Sequence, residues 1–315
     1  MVGHLTAPLQ LVANWPHPTE PMVVADGAVH YDLVDDDLET LALLRHSWDD
    51  IAHLGESIAN TNPPLSAENL AAKAQQWRLA VTPYRTLGPH SRIEGLHPGD
   101  LPPLPPDERD GAARALVLDL TALWAGPLAT SLLCDEGIGV IKINPSCRPD
   151  GFGEHSALYQ HLNRHKKVVD LDLRVDSDRA EFEALVQQAS LVIDSFSPRV
   201  MPNFGYDSRS LRSINPTVAT MSIVGFSRNG PQGSWISYGP GVHAASGLAD
   251  LDRGVGGKFR PAPIAYPDVL AGFAAFAHAH RLITICDADR AQSRHQEIAL
   301  DQVLGPIVDK ALGVS

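Results

Sequence analysis

The chain has 315 residues, 44% hydrophobic and 20% charged, which is enough apolar material for a sizeable core and about two domains. Its 25 basic against 37 acidic residues give a net charge of −12, the wrong sign for a phosphate-backbone binder, so nucleic acid is not an expected partner. No run approaches the roughly 20 apolar residues of a bilayer span, and the first residues lack the basic start and apolar core of a signal peptide, so no membrane association is expected.

Residues 22–31 alternate as a hairpin turning at Asp26-Gly27. The run Asp35-Asp36-Asp37 lacks the Gly and terminal Glu of a calcium loop and reads as a solvated helix start before helical spacing over 38–44. Ser66 is placed to N-cap a second helix with Leu70, Ala71, Ala74 and Trp77 on its apolar side. Five prolines within residues 98–107 cannot continue a helix and favour extended polyproline geometry, so residues 98–110 are expected to be a linker. The part before it is strongly acidic: residues 1–110 hold 6 Lys/Arg against 16 Asp/Glu, and residues 111–315 hold 19 against 21. A polyanionic cofactor is tolerable only in the second part.

After the linker, strand-like and helix-like segments alternate. Strands are expected over 115–120, 139–143, 168–173, 190–194 and 218–224, with helices from 126 to about 136, over 180–188, and ending at Asn215-Pro216. That alternation predicts an α/β fold, a Rossmann-like parallel sheet with helices on both faces over residues 111–315. Residues 1–97 are expected to form a small acidic α+β domain. Ligands bind beyond the C-terminal ends of such strands, which selects residues 121–127, 194–199 and 225–231.

Common site motifs are missing. The first strand is followed by a single glycine rather than GxGxxG, and no GxxxxGK[ST] loop or GxSxG elbow occurs. Cys134, Cys147 and Cys286 form no CxxC pair, which suits packed thiols in a reducing, cytoplasmic compartment. His161 and His165 are four apart, but no HExxH pattern or carboxylate pair supports a metal, and none is expected.

Several segments together resemble the class III CoA-transferase family, which includes formyl-CoA transferase, carnitine CoA-transferase and alpha-methylacyl-CoA racemase. They are Val117-Leu-Asp-Leu-Thr121, Ala125-Gly-Pro127, Gly139-Val-Ile-Lys-Ile143, Asn163-Arg-His-Lys-Lys167, Asp170-Leu-Asp-Leu173, Phe196-Ser-Pro198 and Ile214-Asn-Pro216. Ser222-Ile-Val-Gly-Phe226, Gly230-Pro231, Ser246-Gly-Leu248 and Pro267-Asp-Val-Leu-Ala-Gly272 complete the series, in family order over roughly residues 114–305. The resemblance implies an acyl-CoA:carboxylate CoA-transferase with no tightly bound cofactor, using a coenzyme A thioester and a small carboxylic acid as substrates. It implies contact of the pantetheine arm with Leu123, Trp124 and Ala125, and of phosphates with Arg164, Lys166 and Lys167, the densest basic cluster of the chain. Ser195 and Phe196 match a pair near the adenine, and Tyr238 matches a tyrosine of the reacting pocket. Asp268, which by itself reads as the N-cap of a helix over 269–282, occupies the position of the family nucleophile. A helix start keeps that carboxylate ionised. The family also implies an interlocked homodimer.

The chain departs from the family at Asn144, where Glu is usual, at Asn203, where an arginine is usual, and at Gly239, where Asp is usual. Racemases carry a histidine where this chain has Tyr238, and tyrosine titrates too high for α-proton transfer at neutral pH, so the racemase reading ranks below the transferase. A non-catalytic CoA-binding relative or scaffold subunit is the other alternative. Family members place their small domain after the Rossmann-like part. Here residues 22–87 precede it, as in a circularly permuted or split relative.

Overall fold

The computed structural model describes residues 21–24, 27–31, 66–87, 115–145, 150–253, 257–285 and 295–311. The Pro-rich stretch 98–110, the expected helix over 38–44, Asp26, Cys147 and Cys286 lie outside the described residues. The chain divides into two compact units: residues 1–14, 99–224 and 268–299 form one, and residues 15–98, 225–267 and 300–315 the other.

The first unit is built on a parallel sheet of β4 (Leu116–Leu120), β5 (Gly139–Pro145), β6 (Lys167–Leu171), β7 (Leu191–Asp194), β8 (Ala219–Val224) and β9 (Gln296–Ala299). Strand order is β6-β5-β4-β7-β8-β9. The central strands are near-continuous Val/Ile/Leu runs because both faces of the sheet are covered. On one face Leu118, Leu120, Ile141, Ile143 and Val192 pack with Phe182 and Val186 of α4 (Asp176–Val186), Met201 of α5 (Val200–Phe204) and Leu211 of α6 (Ser208–Ile214). The opposite face carries Asp119, Lys142 and Asn144, since side chains alternate along each strand. Helices α2 (Ala125–Asp135) and α3 (Ala157–Asn163) lie on that side, Thr130 of α2 bonding Asp119 and Tyr159 of α3 bonding Asn144. Helix α9 (Tyr266–Thr284) begins two residues before the 268–299 stretch of this unit.

Five of the six strands match sequence expectation. The sixth, β9, pairs in register with β8 through Ile223↔Ile298, yet Gln-Glu-Ile-Ala carries one β-branched residue and little strand signal. Asn215 ends α6 as expected, its amide donating to the Val186 and Ala189 carbonyls and so tying the turn to the end of α4.

The second unit has an antiparallel sheet of β1 (Met22–Val24), β2 (Gly27–Tyr31) and β3 (Val81–Pro83). Helix α1 (Ala67–Gln76) packs on it through Ala67, Ala71 and Ala74. Ser66 caps α1 by accepting from the Asn69 N–H at 3.1 Å. Trp77 stands at the C-cap and is 57% exposed, so it does not belong to the apolar side of α1. The same unit holds α7 (Gly239–Ser246), α8 (Leu248–Arg253) and α10 (Leu300–Ala311). Gln75 joins its early and late segments, bonding the Ile236 N–H at 2.7 Å and the Ile236 carbonyl at 2.8 Å.

Candidate active site

In the first unit the chain runs outward from β4 through β5 to β6, then returns to start β7 on the other side of β4. The crevice beyond the C-terminal ends of β4 and β7 is therefore the switch point where ligands of such sheets bind. A hydrogen bond from the Ala122 N–H to Ser195 Oγ, at 2.9 Å, bridges it.

The segment after β4 is tightly folded. Gly126 is required because a Cβ there would lie 2.2 Å from Thr121 Cβ. Leu123 has φ +64°, a left-handed conformation costing a side-chain-bearing residue roughly 1–2 kcal/mol. Its N–H donates to Asp150 Oδ2 at 3.0 Å, and its side chain lies where a Cβ on Gly151 would come within 2.9 Å. Strain held in this way at a strand end points to function. Trp124, next along, is 1% exposed and starts α2, and Ala125 is buried behind it.

Beneath this segment lies a buried charge cluster. Asp119 Oδ1 accepts from the Thr121 N–H at 2.9 Å, and Asp119 Oδ2 from Thr130 Oγ1 at 2.6 Å and Lys166 Nζ at 3.0 Å. Lys166 also donates to the Pro127 carbonyl at 3.0 Å and to Asn163 Oδ1 at 2.9 Å. Lys142 Nζ stands 3.9 Å from Asp119 Oδ1 and donates to the Thr121 carbonyl. Burial by itself would raise the Asp119 pKa. The ammonium groups of Lys142 and Lys166 and the hydroxyls of Thr121 and Thr130 outweigh it, holding the carboxyl well below the usual range. For Lys166, burial wins over the attraction of Asp119 and lowers the pKa to about 8.

This arrangement disperses the basic cluster expected at a ligand's phosphates. Lys166 is buried and its three protons are all engaged, which leaves none for a phosphate. Arg164 is exposed, with Nη1 donating to the His161 carbonyl at 2.7 Å and Nη2 lying 3.6 Å from Asp135 at the C-terminal end of α2. Lys167 is exposed on edge strand β6 and pairs with Ile141, so its side chain stands on the other face of the sheet from Lys142. The adenine pair divides too: Ser195 lies at the crevice, while Phe196 packs in the core and sends its N–H to Asp194 Oδ1. Asn144 is buried and its amide donates to Glu154 and to Tyr159 Oη, each at 3.0 Å. Asn203 is exposed on α5.

Asp268 lies inside the first turn of α9 rather than at its N-cap. The helix starts earlier than expected because Pro267 fits a first turn, where its missing N–H is not needed. Four residues on, Gly272 meets α2: a Cβ there would lie 2.9 Å from the Ala125 carbonyl oxygen and 3.0 Å from Leu128 Cδ2. Asp268 is one helical turn, about 5.4 Å, from that contact. The sheet's crevice loop and the Asp268 helix are thus packed backbone to backbone, and the carboxylate is half-buried.

Within the second unit, Tyr238 is the N-cap residue of α7 and Gly239 its first residue. His243 of α7 is 1% exposed, bonds the Tyr266 hydroxyl through Nδ1, and has Nε2 3.8 Å from Asp252. Burial lowers its pKa to about 4, against the pull of Asp252. Burial and the Asp252 charge raise the pKa of Tyr266, so both members of the pair are neutral near pH 7.

Sequence reasoning missed the Asp119–Lys142–Lys166 cluster. The signal was present, because Asp119 and Lys142 each interrupt an apolar strand run, and a charge in a buried strand demands a partner. Among the described residues no helix is long and apolar enough to cross a membrane, and no group of His, Cys, Asp and Glu could hold a metal ion.

Residues 114–293 match CoA-transferase family III. An acetyl-CoA:oxalate CoA-transferase from Acetobacter aceti is 34% identical over 140 residues, 42% of this chain and 36% of that protein. A succinate–glutarate CoA-transferase from Agrobacterium fabrum is 29% identical over 197 residues, 56% of this chain and 49% of that one. The chain therefore spans about a third to a half of the length of these curated relatives. Among solved structures, a CAIB/BAIF family protein from Brucella suis superposes with a TM-score of 0.54 at 26% identity, covering 62% of this chain and 55% of that one. A hypothetical protein from Mycobacterium tuberculosis gives 0.57 at 25%, covering 63% and 57%.

Proposed function

The chain belongs to CoA-transferase family III, and from that premise we propose that it moves coenzyme A from an acyl thioester to a small carboxylic acid through Asp268. The reaction needs a carboxylate that stays ionised and is held against the thioester. Asp268 attacks the thioester carbonyl, the C–S bond breaks, and an aspartyl mixed anhydride and CoA thiolate result. The thiolate then attacks the aspartyl carbonyl, releasing the first acid and leaving CoA on Asp268. The acceptor carboxylate attacks that thioester, forming a second anhydride and freeing the thiolate. Attack of the thiolate on the acceptor's acyl carbon completes the exchange and restores Asp268. Each tetrahedral intermediate carries an oxyanion, which backbone N–H groups near the Ala125 turn would stabilise.

One observation supports this reading most: the contact of Gly272 with the Ala125 carbonyl, which brings the Asp268 turn beside the crevice loop. Coenzyme A is held by the Rossmann-like part of residues 111–315, with Leu123 and Ala125 against its pantetheine arm, Ser195 near its adenine, and the exposed Arg164 offered to its phosphates; Lys167, on the other face of the edge strand, is not part of that set. Trp124 and Phe196 contribute by supporting the fold around Ala125 and Ser195. The active species is a homodimer.

The test is exchange of labelled acid into acyl-CoA. It uses the donors and acceptors named for its relatives, acetyl-CoA and succinyl-CoA against oxalate, glutarate and mesaconate. Exchange by the wild-type protein and its loss in Asp268→Asn is the expected result. Exchange that survives the substitution contradicts the role of Asp268. Coenzyme A binding with no exchange in any pairing favours a non-catalytic binder.

A further inference from the structure

The buried cluster of Asp119, Lys142 and Lys166 plays no part in the steps above, and structure alone is a poor reason for it. Burying one anion with two cations costs more desolvation than an apolar replacement of the same volume, and such groups seldom add net stability. What sets this cluster apart is where its hydrogen bonds go. They hold both ends of the segment that closes the crevice: the Thr121 N–H and carbonyl at one end and the Pro127 carbonyl at the other. Thr130 ties the same carboxylate to the next turn of α2. Among the described residues, Asp119 is the one carboxylate within ion-pair distance of either ammonium, so the cluster keeps an excess positive charge.

We propose that Asp119, Lys142 and Lys166 are positioning residues that fix the Thr121–Pro127 loop against the Asp268 helix and place one net positive charge behind it. This rests on the transferase reading for its catalytic consequence. A fixed positive charge in a dry interior favours the thiolate and oxyanions formed in front of the loop and needs no reorganisation as they form. Lys166 is the labile member. It faces Asp119 from β4, Lys142 from β5 and Cys134 from α2, and burial makes it lose its proton near pH 8. Deprotonation removes the excess charge and one of three donors. Unfolded, a lysine keeps its proton to about pH 10.4, so between pH 8 and 10 this group favours the folded state as pH rises. Activity and stability should therefore part company in that window.

The experiment compares the wild-type protein with Lys166→Met and with Thr130→Val, which removes one donor to Asp119 and leaves every charge. Two readouts are used: exchange kinetics, and amide hydrogen exchange of residues 121–128. In Lys166→Met the expected result is a kcat lower by about 100-fold, a KM for acyl-CoA changed less than about threefold, and faster amide exchange confined to 121–128. In Thr130→Val both effects are smaller, and the wild-type kcat falls through an ionisation near pH 8 that Lys166→Met lacks. Wild-type kcat and protection in Lys166→Met would overturn the proposal. Should that variant fail to fold, a wild-type kcat that does not fall above pH 8, together with unchanged 121–128 protection in Thr130→Val, would overturn it equally. If the wild-type protein catalyses no exchange, the transferase reading fails, and amide exchange by itself decides whether the cluster positions the loop.

Discussion

Replacing Gly272 by alanine tests the packing that puts Asp268 beside the crevice loop. In an isolated helix the change is favourable by about 1 kcal/mol, since glycine is the poorer helix former. Here the new Cβ would stand 2.9 Å from the Ala125 carbonyl oxygen, 3.0 Å from Leu128 Cδ2 and 3.3 Å from Leu128 Cβ. The nearest of these is backbone, so α9 or the start of α2 must move. Overpacking of this kind costs typically 1–3 kcal/mol, which leaves a net loss of up to about 2 kcal/mol after the propensity gain. For a unit of this size that lowers Tm by up to roughly 8 °C. The larger effect falls on kcat, because a shift approaching 1 Å at the nucleophile costs about 100-fold. Gly139→Ala is the control, its Cβ meeting nothing closer than 3.6 Å. Thermal unfolding and exchange kinetics on both variants decide the matter. A Gly272→Ala protein with a raised Tm and wild-type kcat would refute the close-packing argument.

Gly126→Ala should be worse tolerated, because its Cβ would fall 2.2 Å from Thr121 Cβ while Thr121 is held to Asp119; loss of folded protein on expression, or a Tm drop larger than that of Gly272→Ala, is expected. His243 is neutral in the folded protein with its pKa near 4, whereas an unfolded histidine takes up a proton below about 6.5. Stability should therefore be full above pH 6.5 and fall as pH drops toward 4, by up to about 3 kcal/mol, and His243→Gln should flatten that slope in urea titrations across the range. Light scattering at micromolar concentration should give twice the chain mass, and a monomer there would contradict the proposed homodimer.

The parallel sheet was legible because strands buried on both faces read as unbroken Val/Ile/Leu runs, and each is followed by helix-forming sequence. Strand β9 was not, since Gln296-Glu297-Ile298-Ala299 joins an existing edge and takes its conformation from pairing with β8. The start of α9 was misplaced by three residues because Asp before an apolar run reads as a cap, while Pro267 allows the turn to begin before it. Arg164, Lys166 and Lys167 read as one cluster because they are adjacent in sequence. A turn and a strand start then send the three side chains in different directions. Which lysine turns inward is set by Asp119, 47 residues earlier, and only the partner rule for a buried charge could have connected them. The crevice loop was legible as a turn, but not the left-handed Leu123, which depends on Asp150 and Gly151 from another part of the chain.

The central claim is that Asp268 carries the acyl group and then coenzyme A. Both the mixed anhydride and the aspartyl thioester react with hydroxylamine, whereas a free carboxylate does not. The most direct measurement is mass spectrometry of the peptide containing Tyr266 to Leu270 after turnover with an exchanging acyl-CoA in the presence of hydroxylamine. The account predicts a hydroxamate on Asp268, dependent on acyl-CoA and missing from Asp268→Asn. An unmodified Asp268 during active exchange, or a hydroxamate on a different carboxylate, would contradict it.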